Sequence, residues 1–253
     1  MAELIDLKDK IRKYYSFTRN EIKGLTITIL VFAFIISFKD WGPGNTFDPA
    51  IGIFNLFNAI LIVAMSLLIH DAGKRIWALA IGYHIEYKMS IFGLFLAVII
   101  AFVTQGSMWL LIPGTFIVHM MPGHRLGWFR YDINYFGQAM VALGGLLATL
   151  TLIIFFKVIG AVYPNALVEK AFTFNVIFLI ISLIPFPTFD GGKIVFASRM
   201  AYAFLMPAIL FAVLMMIVKI PVLLSLILAL LVGVVLWIVY YVSFERQIWT
   251  GPK

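Results

Sequence analysis

A histidine, an aspartate and a lysine crowd the end of an apolar stretch, in Leu68-Ile69-His70-Asp71-Ala72-Gly73-Lys74. Residues 51–69, which lead into it, carry no charge until His70. Ionisable groups inside a bilayer are costly, so they mark a function and need a partner. Helical spacing puts His70 and Lys74 on one face at i, i+4, with Asp71 beside Lys74 at i, i+3. The expected partner lies far along the chain, in Pro185-Phe186-Pro187-Thr188-Phe189-Asp190-Gly191-Gly192-Lys193. There a carboxylate and a Pro/Gly-rich break follow a second apolar segment. These side-chain types suit a buried cluster of paired charges among Lys74, Asp190 and Asp71.

The elements that must position them are membrane helices. The 253 residues are 63% hydrophobic and have a mean hydropathy of +1.03, values of a polytopic membrane protein. Six or more apolar segments leave no room for a separate soluble domain. We expect a leader over residues 1–23 and a single transmembrane domain over 24–253. The net charge of +7 sits at segment ends. It fits membrane orientation better than nucleic-acid binding, since no basic helix or aromatic-basic module is present. The absence of cysteine excludes disulfides, thiolate metal sites and a cysteine nucleophile. The charged N-terminus does not read as a cleaved signal peptide.

In the leader, Leu4, Leu7, Ile11 and Tyr14 predict a short amphipathic helix on the membrane surface. Thr18-Arg19-Asn20-Glu21 has the form of a capping box. Lys8, Lys10, Arg12, Lys13, Arg19 and Lys23 place the N-terminus in the cytoplasm by the positive-inside rule. The first span is expected over 25–38. The second enters at 51, passes His70 and continues to 82, with Arg75 snorkelling to the surface. Residues 85–89 look extended. Residues 89–118 are expected to enter and return on one side, the return irregular or a β-hairpin. Such backbone must be covered by protein or line a cavity, so it should pack over His70. Further spans are expected over 135–163, 171–184, 194–218 and 221–242, with Gly137, Gly144 and Gly145 allowing close helix contact. The predicted fold is an all-α polytopic membrane protein of about six transmembrane helices plus a re-entrant hairpin. Both termini are then cytoplasmic, at the cell membrane, with Asp190 on the same side as His70. No internal repeat suggests an inverted-repeat transporter.

These residues resemble the site-2 protease family of intramembrane zinc metalloproteases. That family carries His-Glu-x-x-His on one transmembrane helix and a downstream Asn-x-x-Pro-x-Pro-x-x-Asp-Gly-Gly segment. The chemistry there takes two His and one Asp as zinc ligands, a water in the fourth position and the Glu as its base. Here residues 182–193 fit the second segment. The run from His70 to Met89, ending Gly82-Tyr83-His84-Ile85-Glu86-Tyr87-Lys88-Met89, is similar to archaeal members. The resemblance spans residues 51–199 and implies a protease-like core there, with His70 and Asp190 in ligand positions. Asp71 stands where the family has Glu, Lys74 where it has the second His, and Ser182 where it has Asn. The Gly-Pro-x-x-Asn pattern expected near residues 136–141 lacks its Pro and Asn.

An ammonium does not ligate zinc unless deprotonated. The simplest expectation is that Lys74 replaces the metal and pairs with Asp190 or Asp71. The protein is then a catalytically silent relative with no cofactor. It would bind transmembrane segments of other membrane proteins or serve as an assembly subunit. The alternative is an active zinc metalloprotease using His70, Asp190 and a third ligand such as His119 or His124. A transporter or channel is a third reading, against which the single polar cluster counts. Plainer roles stand beside these: His70 as a hydrogen-bonded interior residue, Asp190 as a helix N-cap, His119 and His124 as loop residues, His84 as interfacial, and Lys157 snorkelling to an edge.

Overall fold

A computed structural model of the chain describes residues 2–42, 47–112, 114–121, 134–218 and 220–246. Helix α1 (Ala2–Tyr14) leads into α2 (Arg19–Ser37). The capping box forms: Glu21 N donates to Thr18 Oγ1 at 3.3 Å and Thr18 N donates to Glu21 Oε2 at 2.7 Å. It starts α2 six residues ahead of the expected 25, because each of the two side chains satisfies the other residue's backbone amide.

Helix α3 (Pro49–Ala80) is the longest helix among the described residues. Pro49 opens it and Asp48 caps it, accepting from Ala50 N and Ile51 N. Its 32 residues run about 48 Å, well beyond a ~30 Å hydrocarbon core. Gly82, at φ 89°, turns the chain out of the helix and into strand β1 (Tyr83–Lys88). Helix α4 (Ile91–Val103) follows, and strand β2 (Thr115–Met120) returns antiparallel to β1. The register pairs Tyr83 with Met120, His84 with His119 and Lys88 with Thr115. The excursion thus leaves and comes back at one place, and it adds a two-stranded sheet to an otherwise helical fold.

Helices α5 (Tyr135–Val162), α6 (Ala166–Leu183), α7 (Asp190–Ala197), α8 (Arg199–Ile217) and α9 (Val222–Tyr240) complete the chain, with a π-helical turn at Tyr241–Glu245. The expected span over 194–218 is two helices. Ser198 is extended (φ −159°, ψ 111°) and caps α8 by accepting from Ala201 N. Among the described residues, six helices are long and apolar enough to cross a membrane: α2, α3, α5, α6, α8, and α9 with its π-turn. That is the architecture of an integral membrane protein.

Two close approaches set the geometry. At the α3–α5 crossing, a Cβ on Gly73 would lie 2.5 Å from Gly144 O, and one on Gly144 would lie 2.8 Å from Gly73 O. At the start of α7, a Cβ on Gly191 would lie 2.0 Å from Leu183 O, and one on Gly192 would lie 1.9 Å from Phe186 O. Only glycine lets α7 fold back this tightly on the end of α6. Around these contacts lie two apolar clusters. One includes Phe32, Ile62, Leu67, Phe174 and Phe178. The other includes Ile85, Val118, Leu146, Leu179, Ile194 and Met216. In lipid such clusters act through close packing rather than through transfer from water.

Candidate functional site: a buried ion-pair cluster on α3

Four ionisable side chains stand on consecutive turns of α3, and all are buried: His70, Asp71, Lys74 and Arg75. The helix period sorts them into two faces. His70 and Lys74 turn towards α5 and α7. Asp71 and Arg75 turn towards α2.

On the first face, Lys74 Nζ lies 2.8 Å from Asp190 Oδ1, and His70 Nε2 lies 3.1 Å from Asp190 Oδ2. Asp190 is 3% exposed, so a charge there is tolerable only when paired. His70 Nδ1 is 2.9 Å from Gly145 O and 2.8 Å from Thr149 Oγ1. An ionised Asp190 only accepts, so in the neutral ring Nε2–H donates to Oδ2, and Nδ1 accepts from the Thr149 hydroxyl. The edge of Phe178 meets the imidazole at 5.0 Å between centroids. Phe116 of β2 offers its ring face to Lys74 Nζ at 5.1 Å and to Lys193 Nζ at 3.2 Å. Lys193 Nζ also donates to Thr115 Oγ1 at 3.0 Å. As expected, the returning element covers His70: Gly114, Thr115 and Phe116 line the small cavity beside it, with Tyr87 of β1.

Helix α7, outside the six spans, carries two shifted groups. Burial alone would raise the Asp190 carboxyl. The Lys74 ammonium, the His70 hydrogen bond and Lys193 prevail and hold it well below the usual carboxylate range. Burial pushes the Lys193 ammonium down to about 7, with Asp190 opposing and Lys74 reinforcing the shift.

On the second face, Arg75 Nε donates to Asp71 Oδ2 at 2.5 Å, and its Nη2 pairs with Glu21 Oε1. The same Glu21 oxygen accepts from Tyr87 N at 2.7 Å. The Phe17 ring lies against the guanidinium at 4.1 Å, within cation–π range. Tyr87 Oη meets Thr28 Oγ1 at 3.0 Å. Glu21 therefore ties α2, α3 and β1 together. Lys74 and Arg75 are thus paired with Asp190, Asp71 and Glu21.

Several expectations need correcting. Asp71 does not join the Lys74–Asp190 pair; it turns to Arg75, which is one turn away and held from the far side by Glu21. Arg75 does not snorkel: it is 2% exposed. Asp190 does not cap α7. Phe189 holds the N-cap position, and Asp190 is the first helical residue, its carboxylate turned to His70 and Lys74. Lys157 donates to Met216 O at the C-terminal end of α8. His119 is on the outward face of β2, opposite the buried Phe116 and Val118, with Glu86 3.7 Å away. That removes it as a third ligand beside His70. His124 lies outside the described residues. Ser182 is buried in α6, and its hydroxyl has no hydrogen-bond partner among the described residues.

Sequence reasoning missed Glu21 as a site residue. The capping box explains one of its oxygens; the other was the signal, an acceptor left over next to a membrane span.

Among the described residues the donors here are His70 and Asp190, the next helical turn supplies an ammonium, and no third His, Asp or Glu converges on them. Catalytic zinc takes three protein ligands and a water.

Compared with protein-family models, with curated proteins and with solved structures, the chain matches none. Fold and site define a helical, membrane-embedded protein with a cluster of paired charges buried between α2, α3, α5, α7 and the two-stranded sheet.

Proposed function

We propose that this chain is a non-catalytic membrane protein on the site-2 protease plan, a pseudoprotease that binds transmembrane helices of other proteins or serves as a membrane assembly subunit. The observation that carries the reading is the Lys74–Asp190 ion pair at 2.8 Å. Lys74 stands where the resemblance puts a second metal-binding histidine, and Asp190 where it puts the carboxylate ligand. His70 adds support. The ring nitrogen that a metal-binding histidine would present to the ion is here hydrogen-bonded to a carboxylate already paired with an ammonium. Residues that once ordered around a dication now order around a cation of the protein itself. The fold keeps its cavity closed, and hydrolysis is lost.

In this reading the chain sits in the cell membrane with both termini in the cytoplasm, on the side towards which the basic residues of α1 and α2 point the chain. Its work is to hold helices rather than cut them.

Metal analysis tests the silent site. The purified protein should carry no stoichiometric zinc whose binding depends on His70. Zinc present in the wild type and lost in His70→Ala would overturn the proposal. Restoring Glu at Asp71 and His at Lys74 together should create zinc binding that needs His70 and Asp190. If the restored protein folds and takes up none, the kinship with zinc proteases falls.

A further inference from the structure

The outward face of the hairpin carries a second set of metal-ligating side chains, unconnected to the cluster at His70. Strand alternation puts His84 and Glu86 on one face of β1, opposite His119 and Ile117 on β2. His84 and His119 are direct cross-strand partners, so their Cβ atoms stand roughly 5 Å apart. Their rings are tilted by 34° with centroids 6.3 Å apart. An ion bound at the usual ~2.0–2.1 Å to one nitrogen of each ring lies roughly 3.2 Å from each centroid. A shared ion with a tetrahedral angle needs the two rings turned towards each other, a side-chain rotation that the direct cross-strand pairing permits. Glu86 Oε2 is 3.7 Å from His119 Nε2, and both side chains are well exposed, at 39% and 48%. The carboxylate sets a negative charge beside the two imidazoles.

We propose that His84 and His119 form an exposed, two-histidine site for a borderline divalent ion such as Zn²⁺ or Ni²⁺, with Glu86 adding its charge and water filling the remaining positions. Imidazole is the ligand such ions prefer. With two protein ligands the site is a weak, exchangeable one, in contrast to a closed structural cage. Its place gives it a consequence. An isolated two-stranded hairpin is marginal, and the inward face of this one, through Tyr87 and Phe116, covers His70 and Lys74. An ion bridging the strands would clamp the cover over the buried cluster.

Titration of the purified full chain, carrying a tag free of histidine, with Zn²⁺ alone tests this. The expected result is about one equivalent bound per chain and a rise in thermal unfolding temperature with Zn²⁺. His84→Gln or His119→Gln should weaken binding at least ten-fold and abolish the rise; Glu86→Gln should weaken it a few-fold. His70→Ala should leave the binding intact, which separates this site from the cluster at His70. No saturable binding by the wild type overturns the inference. So does unchanged affinity in the two His→Gln proteins, or binding that disappears with His70→Ala. Elution like wild type on size exclusion qualifies each variant for the comparison.

Discussion

Lys74 and Asp190 meet at 2.8 Å with both side chains under one-tenth exposed. The lysine comes from the last two turns of a long membrane helix, the aspartate from the first turn of a short one. Neither has water to fall back on, so each makes the other tolerable.

Breaking this pair one side at a time should therefore cost far more than removing it whole. Asp190→Asn or Lys74→Met alone strands a buried charge, a loss of about 3–5 kcal/mol; the double variant should recover most of it. Thermal unfolding in detergent reads this. Three variants as stable as wild type would mean that the pair is solvated.

Arg75 should be the more sensitive residue of the other face. Arg75→Met leaves both Asp71 and Glu21 without their cation, while Glu21→Gln leaves Arg75 paired with Asp71. We expect Arg75→Met to cost about 3–5 kcal/mol and Glu21→Gln clearly less. Protease susceptibility of the α1–α2 connection offers a second readout, since Phe17 rests on the guanidinium. The reverse order of stabilities would refute the assigned bridge.

Gly192→Ala should act on Asp190 through the backbone. Its Cβ would sit 1.9 Å from Phe186 O, so α7 must move away from the end of α6. Overpacking of this kind typically costs ~1–3 kcal/mol. The displacement should also abolish the coupling between Lys74→Met and Asp190→Asn in a double-mutant cycle. Coupling kept at full strength in the Gly192→Ala background would show that α7 is not positioned by this contact.

Lys193 predicts a pH dependence of definite sign. Its folded pKa of about 7 lies below the ordinary lysine value of ~10.4. Between those pH values the unfolded chain binds a proton that the folded chain does not. Stability should rise with pH across that window. Below about pH 7 both states are protonated and the full cost of burying the ammonium persists. Lys193→Met should flatten the slope in unfolding experiments from pH 7 to 10. An equal slope in that variant would assign the dependence elsewhere.

What the residue order determined by itself was local. Apolar runs longer than a bilayer, the Thr18–Glu21 capping box, the alternation through β1 and the break at Pro185–Pro187 each follow from periods and propensities that act within a few residues. The meeting of His70, Lys74 and Asp190 was also legible, because a charge in an apolar helix needs a partner and this region of the chain offered Asp190. Only the tertiary structure decided the rest. Asp71 has Lys74 at i+3 and Arg75 at i+4, and helix geometry permits either. The choice is made by how α3 is rotated against its neighbours: the face carrying Lys74 meets α7 and Asp190, and the face carrying Arg75 meets α2 and Glu21. Likewise His119 sits one residue from Val118, and the parity of β2 alone turns one inward and the other out. A rotation or a one-residue register shift leaves the sequence unchanged and exchanges every partner, because those choices are set by long-range packing.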